Sequence, residues 1–277
     1  MTDNLVASVE RATTYLGYKD PAAKPALRYH IFDTIEHKEP VPTAPKPGWP
    51  YPYPYPDYNG IMLAHDICNY VDNKNVREVW LFAYQGSPTI KLGVSESIMS
   101  GPHGEISNSF KPNVMPLCKH TYLVYTPNYG RTTAEMVEAW GHQLEAEFSA
   151  INPDLFRNKF QGPPYPPTEN VNGRCGSVHN PPNARFEYDR WNPNPWPSGC
   201  LDWNPDGLGK LSQISCQNWG CVFPTCEEYL FNFWCKQADA NQPQLKYNIW
   251  NSQNMPGINN TKTYQGQPLR SWLIVKG

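Results

Sequence analysis

Four ionisable side chains sit in short, ordered strings that could do chemistry. They are Glu96 in Ser95-Glu96-Ser97-Ile98-Met99, His142 and Glu145 in Gly141-His142-Gln143-Leu144-Glu145, and His179 in Cys175-Gly176-Ser177-Val178-His179-Asn180-Pro181-Pro182-Asn183. On a helix running from Thr132, Glu138, His142 and Glu145 fall within about 60° of one another at 100° per residue. Two carboxylates flanking an imidazole can orient it as a general base, or share a divalent metal with it. His142, Glu145 and Glu138 are therefore the candidate metal ligands, and the competing reading is a plain solvated face. Met136, Trp140, Leu144 and Phe148 form the opposite, core-facing stripe. Gly141 costs such a helix about 1 kcal/mol relative to Ala, which suggests close approach of another backbone, the 175–183 loop being the candidate.

Glu96 follows an apolar run ending at Tyr84, and ligands of open α/β sheets gather beyond the carboxyl ends of strands. It reads as an acid/base candidate or as a turn carboxylate. Arg131, in Asn128-Tyr129-Gly130-Arg131, could fix an anion at the helix start, or form an ordinary salt bridge. His142 lies about 15 Å further along the axis, so Arg131 is a weaker member of a cluster of Glu96, His142, Glu145 and His179. His179 is framed by prolines, as loop residues donated to sites often are, although a structural hydrogen-bonding role is open. No GxGxxG, P-loop, HExxH or GxSxG string occurs, and no serine is assigned as a nucleophile.

The elements that must hold these residues are legible mainly in the first half. Leu5–Leu16 reads as a short helix, and residues 26–36 alternate apolar and polar as a strand does. The GWPYPYPYPDY tract over 47–57 repeats Pro at alternate positions, predicting an extended polyproline segment without ladder pairing. Residues 58–71 carry helical spacing, 78–84 read as a buried strand, and 121–125 as a third strand. Thr132 with Glu135 forms a capping box opening a helix to about Ser149. The expectation is an α/β fold, with a partly parallel sheet and helices in the first half, covered by a loop-rich, disulfide-stapled second half. Three segments follow: 1–57 (helix, strand and Pro/Tyr-rich stretch), 58–151 (α/β core) and 152–277 (a Cys/Trp/Pro-rich layer with a possible helix at 227–236).

The chain has 277 residues, 23 Lys+Arg against 25 Asp+Glu, and 30 Pro. A net charge of −2 without basic runs offers nothing to a nucleic-acid backbone, and no apolar stretch reaches the roughly 18 residues of a membrane span. Six of the eight cysteines (Cys175, Cys200, Cys216, Cys221, Cys226 and Cys235) fall between 175 and 235, the density of a disulfide-stapled region. Zinc is the alternative, although the C-x2-C knuckle is missing. Cys68 and Cys118 are either small buried hydrophobes or a further pair. Asn259-Asn260-Thr261 is a glycosylation sequon. Together these point to an extracellular chain whose leader is absent and whose Met1 is added.

The strings DYNGIMLAHDICNYV, REVWLFAY, SESIMSGP, NYGRTTAEMVEAWGHQLEA, GRCGSVHNPPNA and CLDWNPDG resemble an uncharacterised family of mostly exported microbial proteins. Its motifs read E-S-x-M, N-Y-x-R, G-H-x-x-E and C-G-x-x-H-x-P-P-N. The likeness spans roughly Tyr58 to Trp272, departs where members end in paired Trp (here Trp272-Leu273), and implies an α/β core while transferring no reaction. Aromatic residues in Pro/Asn-rich loops, Tyr53, Trp191, Trp196 and Trp203 among them, could stack on sugars, anchor an interface, or supply a core. Two functions stay open. One is a secreted hydrolase acting on a glycan or other extracellular polymer through a Glu/His acid–base or metal site. The other is a non-catalytic binding or assembly protein that self-associates.

Overall fold

The computed structural model describes residues 1–44, 55–82, 97–100, 106–107, 115–127, 132–162, 174–206, 209–221 and 243–269. In chain order come helix α1 (Thr2–Ala12), strands β1 (Thr43–Ala44) and β2 (Tyr55–Pro56), helices α2 (Tyr58–Ala64) and α3 (Ile67–Asn73), and strands β3 (Glu78–Trp80), β4 (Ser97–Ser100), β5 (Ile106–Ser107) and β6 (Tyr122–Tyr125). Helix α4 (Thr133–Ile151) and a π-helical stretch (Asp154–Gln161) follow. Strands β7 (Trp196–Ser198) and β8 (Ser212–Ile214), helix α5 (Pro243–Gln253) and a small hairpin, β9 (Thr263–Tyr264) with β10 (Gln267–Pro268), complete them. The chain divides into two compact units: Met1–Tyr29, Thr133–Gly141 and Phe148–Gly277 form the first, His30–Thr132 and His142–Glu147 the second.

The second unit holds a small mixed sheet of order β3-β6-β4-β5. β3 runs parallel to β6, pairing Glu78 with Leu123 and Trp80 with Tyr125, while β4 is antiparallel to both β6 and β5. The fold is thus mixed helix and sheet, with one parallel pair among the described residues, so the α/β expectation holds only in that coarser form. Tyr58, Ile61 and Met62 from α2, Ile67 and Val71 from α3, and Tyr122 and Val124 from β6 form its core with Met115 and Cys118. The helix expected over 58–71 is broken because Asp66 takes φ +50°, a left-handed conformation that Asp tolerates better than bulkier residues. Cys68 and Cys118 lie at disulfide distance across this core.

Two expectations fail here. The alternating segment 26–36 forms no strand, since no strand among the described residues supplies ladder partners, and Ile31, Phe32 and Ile35 stay exposed. Tyr55 and Pro56, inside the tract expected to avoid ladders, pair antiparallel with Ala44 and Thr43. A two-residue ladder tolerates a missing Pro donor where a central strand does not. Residues 47–54 of the Tyr-Pro tract lie outside the described residues, as does the possible helix at 227–236.

In the first unit, α1 buries Leu5, Val9 and Ala12 completely and packs against α5. Helix α5 opens on Pro243, a residue suited to a first turn, and is buried on all sides although it is largely polar. Several of its polar groups reach distant partners: Gln253 donates to the Arg11 carbonyl at 2.8 Å, joining the Thr14 amide there at the end of α1, whereas the Asn248 side-chain amide has no hydrogen-bond partner among the described residues. Helix α4 starts where the capping box places it, yet the Thr132 hydroxyl makes no hydrogen bond among the described residues. The expected stripe is right: Met136, Trp140, Leu144 and Phe148 are all buried. The Cys175–Cys200 and Cys216–Cys221 pairs lie at disulfide distance, whereas Cys226 and Cys235 lie outside the described residues. Three such pairs fit an oxidising environment. No helix among the described residues is long and apolar enough to cross a membrane.

Candidate functional site

The loop carrying His179 is fixed before its imidazole meets any partner. Cys175 ties it to Cys200, and Gly176 turns it at φ +79°, where a Cβ would meet the Asn180 carbonyl and lie 2.7 Å from the Tyr247 hydroxyl. That hydroxyl donates to the Ser177 carbonyl at 2.8 Å, with the Asn180 carbonyl at 3.1 Å. One turn on along α5, Asn251 donates to the Cys175 carbonyl at 2.8 Å. Two polar side chains at i and i+4 of α5 thus clamp the loop. Gly141 does face this loop, as its cost to the helix suggests: a Cβ there would lie 2.8 Å from Val178 Cγ2. The contact is with a side chain rather than with backbone.

Glu138 of α4 meets the loop. Its Oε1 lies 3.0 Å from His179 Nε2 and 3.4 Å from Arg190 Nη2, and Gln244 of α5 donates to its Oε2. The Glu138 side chain is 9% exposed and Arg190 1%, so neither is on a solvated face; burying charges of opposite sign together limits the desolvation cost each would incur alone. Arg190 also donates to the Val178 carbonyl at 2.8 Å, and its own carbonyl accepts from the Trp219 indole at 2.8 Å. The other nitrogen of His179, Nδ1, lies 3.0 Å from Glu187 Oε1, and the Tyr188 hydroxyl is 3.1 Å from Nε2. Burial, joined by the Glu138 and Glu187 charges, pushes the Tyr188 phenol well above its ordinary value. An imidazole 26% exposed therefore spans a buried carboxylate on one side and a carboxylate 48% exposed on the other.

His142 and Glu145 pair with each other, Nδ1 to Oε2 at 2.9 Å, both partly exposed. Of the expected cluster of Glu96, His142, Glu145 and His179, these two thus form one pair, while His179 pairs with Glu138 from outside it. Glu96, Arg131 and Tyr53 lie outside the described residues. Among the described residues, side chains of the types that hold a metal ion come together at Glu138 and His179, and again at Cys68, Asp72 and Cys118. In the second set, pairing of Cys68 with Cys118 takes up both sulfurs.

The aromatic residues divide. Trp191 and Trp203 are 6% and 2% exposed; Trp203 donates to the Lys159 carbonyl at 2.7 Å and meets Phe160 edge-on. They fill the core of a region poor in aliphatics, so the expectation that their faces stack on ligand is corrected. Trp196 on β7 is partly exposed, and Asn259 is exposed in a turn at φ +65°. Sequence reasoning missed Glu187, Tyr188, Arg190 and Gln244. The run Arg185-Phe186-Glu187-Tyr188-Asp189-Arg190 is a dense charge cluster in an otherwise low-charge second half, and that density is the one signal that could have found three of them. Compared with protein-family models, curated proteins and solved structures, the chain matches none.

Proposed function

We propose that this protein is a secreted hydrolase acting on an extracellular polymer, with Glu138 and His179 as its acid–base pair. The observation that carries the reading is the chain Glu138–His179–Glu187, in which a half-open imidazole links a buried carboxylate to an exposed one. Such a chain can pass a proton between a reacting group and solvent, the work of general acid–base catalysis. Glu187 holds the ring from the far nitrogen, while Arg190 and Gln244 fix the Glu138 carboxylate. Glu138 and His179 also belong to the donor types that bind zinc, and a divalent ion there would supply an activated water. A glycan is the less supported polymer, because two of the three described tryptophans expected to stack on sugar are in the core.

The test is to incubate the full chain with polysaccharide, protein and polyester substrates and read new reducing ends, amines and carboxylates. Release from one class is expected, falling about 100-fold or more in His179→Gln. Glu187→Gln, at an exposed position, should lower the rate without changing the melting temperature. No release from any class by folded protein, or undiminished release by His179→Gln, refutes the reading. A non-catalytic assembly role is the second reading, favoured by the adjacent exposed side chains Ile31, Phe32 and Ile35; concentration-dependent sedimentation would support it.

A further inference from the structure

The second unit brings together two histidines that the acid–base reading does not use. His65 ends α2, and His37 lies in the non-helical segment preceding it; their Nε2 atoms are 3.1 Å apart, with the rings edge-on at 72°. Two neutral imidazoles can meet this way only if one nitrogen carries a hydrogen and the other a lone pair. If both present lone pairs, they have the spacing of two ligands of one ion. With zinc–nitrogen bonds of about 2.0–2.1 Å, tetrahedral ligands stand about 3.3 Å apart, so closing on a metal needs only a small ring movement. The far nitrogen of His37, Nδ1, lies 3.9 Å from Glu39 Oε2, outside hydrogen-bond reach but close enough that a side-chain rotation of this exposed carboxylate would complete the carboxylate–imidazole order found at many metal-bound histidines. His37 is 56% exposed, which leaves the remaining coordination positions to water.

We propose that His37 and His65 form a surface site for one divalent ion of the imidazole-binding kind, zinc or copper, with Glu39 as a positioning residue. The ion ties the 30–39 segment, whose own partners on α3 are Tyr70 for Phe32 and Asp33, to the end of α2. Titration calorimetry of the full chain with zinc chloride at pH 7.5 tests it. His37→Ala and His65→Ala should each lose one equivalent of bound zinc, and Glu39→Gln should weaken that equivalent several-fold while keeping it. His179→Gln should leave it intact, which separates this site from any metal bound near Glu138. His37 lies outside every described helix and strand, so its variant keeps the test valid where His65→Ala disturbs α2. Unchanged stoichiometry in His37→Ala overturns the proposal.

Discussion

Replacing Glu138 with Gln is the perturbation that most directly probes the first unit's buried charge. The carboxylate is 9% exposed and faces an Arg190 guanidinium that is 1% exposed. Removing one partner of such a pair costs about 3–5 kcal/mol, because the other charge stays buried without compensation. Gln keeps an oxygen able to accept from Arg190 or His179, and Arg190 keeps its bond to the Val178 carbonyl, so the lower end, about 3 kcal/mol, is expected. Arg190→Met should cost a similar amount, because the carboxylate loses its buried guanidinium and keeps only His179 and Gln244. The double variant should cost less than the sum by about 2 kcal/mol, since buried pairs removed together leave no orphan. Urea unfolding followed by tryptophan emission measures all three. Additive effects within about 0.5 kcal/mol, or a Glu138→Gln variant within 1 kcal/mol of wild type, would refute the idea that the pair is energetically coupled.

Gly141→Ala gains about 1 kcal/mol of helix propensity but places a methyl 2.8 Å from Val178 Cγ2. Overpacking of about 1–3 kcal/mol should win, so a lower melting temperature, restored by adding Val178→Ala, is expected; a rise in Gly141→Ala alone would contradict this. Cys68→Ser with Cys118→Ser opens a loop of 50 residues, which should cost about 4 kcal/mol in the chain-entropy account; loss below about 1 kcal/mol in denaturant titration would deny the pair a structural role. Burial raises the folded-state value of the Tyr18 phenol. A raised value means that the contribution is intact below the unfolded value of about 10 and is lost as pH climbs through the folded one. Stability should therefore fall above about pH 10, less steeply in Tyr18→Phe, as followed by chemical unfolding across that range; equal slopes would count against it.

How much could be read from the residues depends on whether burial leaves a periodic trace. Helix α4 was legible because Met136, Trp140, Leu144 and Phe148 recur at helical spacing, and β6 because Tyr122–Tyr125 is an unbroken apolar run buried throughout. Helix α5 was not, because its buried face is written in Gln244, Asn248, Asn251 and Gln253, residues whose polarity ordinarily signals solvent. Gln244, Asn251 and Gln253 are buried where partners await them, and those partners, Glu138 and the Cys175 and Arg11 carbonyls, lie far away in sequence. The site divides on the same line. His142 with Glu145 is a local i, i+3 pair that helix geometry alone can place. Glu138 with His179 is made by a loop held at Gly176, Cys175 and Tyr247, and no spacing encodes it. The opposite error, a strand read into residues 26–36, has the same cause: alternation describes what a segment could pair with, while pairing needs a second strand. Where sequence reasoning runs out in this chain, it is the long-range polar contact that decides, and Glu138 is where that contact meets the candidate chemistry.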